Sequence, residues 1–253
     1  MKARLGRARL PYYDEFLVLI RSGQMEELER SSQDAFQSRL LSHIEEHFPV
    51  HWRVAGREQL RALIELGIAD AASYGLEAQR EIYLFVSLML YFGSGFATDY
   101  QLPWAAAGLK EPSDSFSRIE KTYDDGIAYL GRVAGPNGQH SAPAIRRFSD
   151  MARHLDRHAP GAVLEKLSSI FPEKYQELSK SQSIQLMQQG NECAKRYHLD
   201  SEHGVFLCAG LSFLLGHGFA ADPQFAWVSG VLEGAKNTVG ERVATQLDKW
   251  VAQ

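Results

Sequence analysis

An all-α fold is predicted, and three observations predict it. Apolar residues recur at helical spacing through most of the chain. No segment alternates apolar and polar residues with period two over a useful length. The segment Gly93-Ser-Gly-Phe-Ala-Thr-Asp-Tyr-Gln-Leu-Pro-Trp104 also returns as Gly216-His-Gly-Phe-Ala-Ala-Asp-Pro-Gln-Phe-Ala-Trp227. The copies lie 123 residues apart (Gly93 to Gly216), and the register runs upstream without a gap. Leu41, Phe48, Pro49, Gln59, Leu63, Gly67, Ala71 and Tyr74 meet Leu164, Phe171, Pro172, Gln182, Leu186, Gly190, Ala194 and Tyr197. Leu76, Leu84 and Leu88 meet Leu199, Leu207 and Leu211. Roughly a quarter of the positions from Leu41 to Trp104 match, which reads as a tandem duplication.

The chain is expected to divide into an irregular strap (1–23), a first helical repeat (24–135), a linker (136–143) and a second repeat (144–253). Pro11 breaks any early helix, and Phe16–Ile20 suits a short strand or an extended strap. From Gln24 the period is helical: Met25, Leu28, Ala35, Phe36, Leu40, Ile44 and Phe48 share a face, Ser22 is a candidate cap, and Pro49 ends the run. A second helix is read at about 57–74, with Leu60, Leu63, Ile64, Gly67, Ile68 and Ala71 inward. Gly75 suits the position after its end. A third, about 78–92, is apolar nearly all round, the pattern of a central helix. The small residues Gly67 and Ala71 sit one turn apart and are expected to cross it closely.

The repeated motif then reads as a helix exit and re-entry. Gly93 and Gly95, like Gly216 and Gly218, tolerate positive φ. Asp99 and Asp222 are placed as caps of the following short helices, and Pro223 suits a first helical position. Phe96, Trp104, Phe219 and Trp227 are expected to anchor the turns in the core. A fourth helix is read at about 114–133, and Gly135–Pro143 has linker composition. Later helices are expected near 144–171, 181–197, 201–215, 226–232 and 236–251.

Composition excludes some function classes. The formal net charge is −4 over 253 residues, which argues against a nucleic-acid footprint. The basic start (Arg4, Arg7, Arg9) precedes only a five-residue apolar run, too short for a secretory signal. No run approaches a membrane span of about 20 apolar residues. Cys193 and Cys208 form neither a disulfide framework nor a metal-binding CxxC pair, and read as buried, reduced thiols.

One pattern points to metal chemistry. His43-Ile-Glu-Glu-His47 has the H-x-x-E-H form of a zinc-peptidase class, in which two histidines one turn apart share a metal and Glu46 would serve as base. His51 continues the spacing, and His154/His158 form another such pair. The positions matching His43 and His47 in the second copy are Lys166 and Ile170, so surface or structural histidines are the expected reading and no metal or other cofactor is assigned. The glycine motif lacks the Lys-Ser/Thr of a phosphate loop and a preceding strand. Asp99 and Asp222 as paired acids is the sharper alternative to capping. No Gly-x-Ser-x-Gly elbow is present. Tyr91, Phe92, Phe213 and the tryptophans read as core, with a small-ligand-binding bundle as the alternative.

The order Gln24-Met25…Phe36…Phe48-Pro49, then Leu60-Arg61…Gly67-Ile68…Ala71…Tyr74-Gly75, then Phe92-Gly-Ser-Gly-Phe96…Asp99…Leu102-Pro103-Trp104-Ala105 resembles small helical proteins of bacterial type VI secretion gene clusters. The resemblance covers roughly residues 22–132. It implies a cytoplasmic accessory role without catalytic residues: an adaptor or chaperone bound to a secreted effector or spike component, or an immunity protein that neutralises a toxin. The second copy departs at Ala226 (for Pro103) and His198 (for Gly75). A metal-dependent hydrolase built on His43, Glu46 and His47 is the alternative from another class.

Overall fold

A computed structural model describes residues 22–154 and 162–252, with side chains from residue 31 onward. The strap proposed for 1–23 therefore falls almost wholly outside the described residues, as do Phe16–Ile20 and His158. The described chain is all-helical, with no strand. Among the described residues no helix is long and apolar enough to cross a membrane. Contacts divide the chain into Met1–Phe36 and Gln37–Gln253. Of the first unit, Ser22–Phe36 is helical. All that follows concerns the second.

Helix α1 (Ser22–His47) gives way at Phe48 to α2 (Pro49–Ala55), α3 (Arg57–Ser73) and α4 (Gln79–Phe92). Pro49 does not simply stop a helix; it opens the next one, because a residue without an N–H costs nothing in the first turn. A 3-10 turn at Phe96–Thr98 leads into α5 (Pro103–Leu109) and α6 (Ser115–Ala134). Asp114 caps α6 by accepting the Ser117 N–H at 3.0 Å. The segment read as a linker holds only a 3-10 turn at Pro136–Gly138, and α7 (Ser141–His154) begins inside it. There follow α8 (Val163–Ile170), α9 (Pro172–Gln176), α10 (Lys180–Arg196), α11 (Glu202–Leu215), a 3-10 turn at Pro223–Phe225, α12 (Trp227–Leu232) and α13 (Val239–Val251).

Two helices form the centre of the core. Along α4, Ile82, Phe85, Val86, Leu88, Met89 and Leu90 are buried; along α11 burial is continuous from Phe206 to Phe213. Helix α3 packs on α4, and α10 packs on α11. Both crossings are made close by a buried glycine. A Cβ on Gly67 would stand 2.6 Å from Val86 Cγ2 and 2.9 Å from Met89 Sδ, and one on Gly190 would stand 2.7 Å from Ala209 Cβ. Gly67→Leu is thus expected to destabilise the protein by about 1–3 kcal/mol through overpacking, read as a lower urea midpoint at unchanged slope.

The two ends of the second unit are interleaved. Helix α13 contacts α2 as well as α7, α9 contacts α6, and the Pro223–Phe225 turn sits on α3. The chain also keeps a turn through a change of residue: Gly75 has φ +69° and His198, in the matching position, has φ +56°. A histidine in this left-handed region is tolerated at a cost that glycine escapes.

Candidate functional site

The two copies of the glycine motif meet face to face. Gly93 ends α4 with φ +90°, and Gly216 ends α11 with φ +94°. Each passes so close to the other helix end that a side chain would strike backbone. A Cβ on Gly93 would lie 2.6 Å from the Leu215 carbonyl oxygen, and one on Gly216 would lie 2.7 Å from that of Phe92. Gly95 and Gly218 also approach each other, within 3.5 Å of a Cβ built on either.

The aspartates close this junction in both directions. Asp99 Oδ2 accepts the backbone N–H of His217 at 2.9 Å, and Asp222 Oδ2 accepts that of Ser94 at 2.6 Å. The other oxygen of each turns back on its own loop, to Gln101 N–H at 2.8 Å and Gln224 N–H at 2.9 Å. The glutamines then cross over as well. Gln101 Nε2 donates to the Ser212 carbonyl and Gln224 Nε2 to that of Met89, each at 2.9 Å. Every one of these bonds has its partner at the 123-residue offset.

Asp222 does cap the 3-10 turn that Pro223 opens. Asp99 departs from the expected cap: α5 starts at Pro103 behind Leu102, with no side-chain cap. Its carboxylate spends one oxygen on its own turn and the other on the opposite loop. Of the aromatic anchors, Phe96 packs on Phe85 with ring centres 4.9 Å apart, and Trp104 packs on Phe92 at 5.3 Å. Phe219 is buried, and Trp227 is half-buried at the start of α12.

Asp99 and Asp222 are both buried, yet their acidities shift in opposite directions. Burial pushes both carboxyls up. For Asp99 the hydrogen bonds of His217 and Gln101 and the proximity of the His217 ring outweigh it, holding the carboxyl below its ordinary value. His217 Nδ1 lies 3.6 Å from Asp99 Oδ2. At the matching position beside Asp222 stands Ser94, which brings no imidazole, so burial prevails and the carboxyl is raised.

The histidines of the H-x-x-E-H pattern are not gathered into a site. His43 and His47 face each other with ring centres 4.1 Å apart, but the His43 ring is hydrogen-bonded to the Tyr83 hydroxyl. His47 Nε2 lies 3.8 Å from the Glu46 carboxylate on its own helix. His51 points elsewhere, its Nε2 3.0 Å from the Leu90 carbonyl oxygen. His154 approaches Asp150 on its own helix. Among the described residues no three His, Cys, Asp or Glu side chains stand together as a metal-binding group.

No protein-family model, curated protein or solved structure matches this chain.

Three further features lay beyond the reach of residue spacing. Cys193 on α10 and Cys208 on α11 are free thiols whose sulfurs lie 2.7 Å apart, because the two helices cross at this level. Their hydrogen bond holds Cys193 below and Cys208 above the ordinary thiol value.

His51 is the second feature. Burial drives its imidazole down to about 4, against the small opposing effect of the Leu90 carbonyl, and the ring packs edge-on against Trp250 at 5.1 Å. A histidine lowered from 6.5 to about 4 takes up its proton more readily in the unfolded chain. Stability should accordingly fall as pH drops from 6.5 towards 4, by up to about 3 kcal/mol from this residue. His51→Phe is expected to flatten the pH profile of the urea midpoint in that window; an unchanged profile would exclude His51 as the cause.

The third is a cavity of about 280 Å³ that begins at Gly93 and runs between the ends of α4 and α11 and helices α6, α7 and α13. Phe92, Leu130, Val133, Ile145 and Leu247 give it apolar walls, and Tyr129, Lys174 and Trp250 are among the residues that line it.

Proposed function

We propose that this chain is a duplicated, non-enzymatic helical accessory protein: a cytoplasmic adaptor or chaperone for a secreted bacterial effector of the type VI secretion kind. Neutralising a toxin is the companion reading. The observation that carries the proposal is the reciprocal closure of the two glycine loops. Its hydrogen bonds join pairs of positions related by the 123-residue offset, as expected of two copies of one unit packed about a pseudo-two-fold. It also commits the motif's chemistry internally. Asp99 and Asp222, the residues an acid–base reading would need, each hold two backbone N–H groups.

A surface strip supports the binding role. Tyr91 is 40% and Ile127 38% exposed, on the packed helices α4 and α6, and half-buried Tyr83 and Tyr123 lie on the same two helices. Exposed aromatic side chains supply large contact area at little entropic cost, which is why they are enriched at protein interfaces.

The test is co-expression with each effector and spike protein encoded beside its gene, followed by isolation of a stoichiometric complex. Tyr91→Ala with Ile127→Ala is expected to weaken such a complex at least about tenfold. Loss of effector export without this chain would establish the chaperone role, and loss of toxin activity in the complex the immunity role. Failure to form a complex with any of those proteins would sink both.

A further inference from the structure

The cavity behind Gly93 has a one-sided chemistry. Among the described residues no aspartate or glutamate lines it, and Lys174 is its one lysine or arginine. Lys174 makes no hydrogen bond or ion pair among the described residues; its ammonium lies 5.4 Å from the centre of the Phe213 ring. Tyr129 is 3% exposed, and its hydroxyl has no hydrogen-bond partner among the described residues. The indole N–H of Trp250 is likewise buried without one. Buried polar atoms in a native fold are rarely left unpaired, so donors gathered on one apolar cavity call for an acceptor. Lys174 disfavours a cation, and no carboxylate of the chain lines the cavity to meet it among the described residues, leaving an anionic head on an apolar body as its complement.

We propose that this cavity binds a medium-chain carboxylate, alkyl or aryl, with its head on Lys174 and Tyr129 and its body against Phe92, Leu130 and Val133. Size agrees with the chemistry. A cavity of about 150 Å³ holds benzene, so 280 Å³ admits a ligand of roughly eleven non-hydrogen atoms. Lys174 is suited to the role. Its apolar surroundings lower the ammonium to about 8, an effect that Asp99 partly offsets, so it is charged at pH 7 but poorly solvated. A carboxylate would supply the partner that the fold withholds. This inference does not rest on the accessory role, and either can fail alone.

The experiment is calorimetric titration of the full chain at pH 7 with octanoate, 3-phenylpropanoate, 1-octanol and octylamine. One carboxylate should bind saturably at one per chain, and the tighter of the two identifies the alkyl or aryl source. Octylamine should bind at least about tenfold more weakly, because its ammonium meets Lys174. Lys174→Met should weaken carboxylate binding about tenfold or more while leaving 1-octanol within about twofold, since charge-assisted hydrogen bonds carry that much discrimination. Near-UV circular dichroism checks that this variant folds, and Tyr129→Phe, with an expected loss of about threefold or more, serves as the second probe. No saturable binding of either carboxylate would overturn the proposal. So would octylamine binding as tightly as octanoate, or carboxylate affinity untouched by both variants.

Discussion

Gly93→Ala is expected to destabilise the protein by about 2–5 kcal/mol, and Gly216→Ala by a similar amount. Two costs combine. At φ +90° and ψ 156° the Gly93 backbone occupies a region that is essentially glycine-only, at about 1–3 kcal/mol for another residue. The new methyl would then stand 2.6 Å from the Leu215 carbonyl oxygen, a contact that only movement of backbone can relieve. Gly56 separates the terms. It has nearly the same backbone (φ 83°, ψ 163°) but nothing within 4 Å of a Cβ, so Gly56→Ala should show the strain alone. Denaturant midpoints of the three alanine variants check this. The pair Gly93→Ala/Gly216→Ala should cost less than the sum of its members, because one separation of the loops relieves both clashes. Equal losses at Gly56 and Gly93 would mean that the close approach carries no energy.

The second large effect is an inequality between two aspartates in matching positions. Asp99→Asn is expected to cost about 3 kcal/mol at pH 7, and Asp222→Asn about half as much. Each substitution turns an acceptor into a donor against one of two backbone N–H groups. Only at Asp99 does it also remove a charge that the fold favours. The signs follow from the shifts. With its pKa lowered, Asp99 contributes stability that is present above 3.8 and is lost as pH falls through the folded value. With its pKa raised, Asp222 contributes stability that is present below 3.8 and is lost as pH rises through the folded value. Carboxyl carbon shifts measured by NMR against pH should place Asp99 below Asp222. His217→Ser, which gives Asp99 the neighbour that Asp222 has, should bring the two together. Titration of both carboxyls at one pH in the wild-type chain would refute the account.

The unequal aspartates mark the boundary between what spacing conveys and what packing adds. The all-α class, the positions of α3, α4, α6, α10 and α11, and the close Gly67 crossing follow from local periodicity and the absence of a Cβ, both written residue by residue. The glycine motif stands out because seven of its twelve positions recur unchanged, and Asp222-Pro223 announces its turn through local chemistry alone. Asp99 could not be read in that way. Its second oxygen is satisfied by His217, on a loop more than a hundred residues away, and nothing near Asp99 in the chain records which loop will arrive.

The remaining features share that dependence on distant neighbours. Lys174 follows Phe-Pro-Glu at the start of a short helix and would pass for a surface residue; only the meeting of α6, α9 and α13 places it on an apolar cavity beside Tyr129. His51 looks like a third member of a histidine row, yet it is turned away from His47 towards Leu90 and Trp250. Cys193 and Cys208 touch because two helices cross. Sequence by itself determined the helical class, the run of the longer helices and the helix-ending glycines Gly75 and Gly93, since propensity, apolar period and positive φ are properties of a residue and its near neighbours. Gly95, read together with Gly93, stands instead at φ −85°. Tertiary structure decided which carboxylate meets which N–H, which amine is stripped of water and which donors are left facing a cavity, since burial and long-range hydrogen bonds depend on groups that the chain brings together only when it folds.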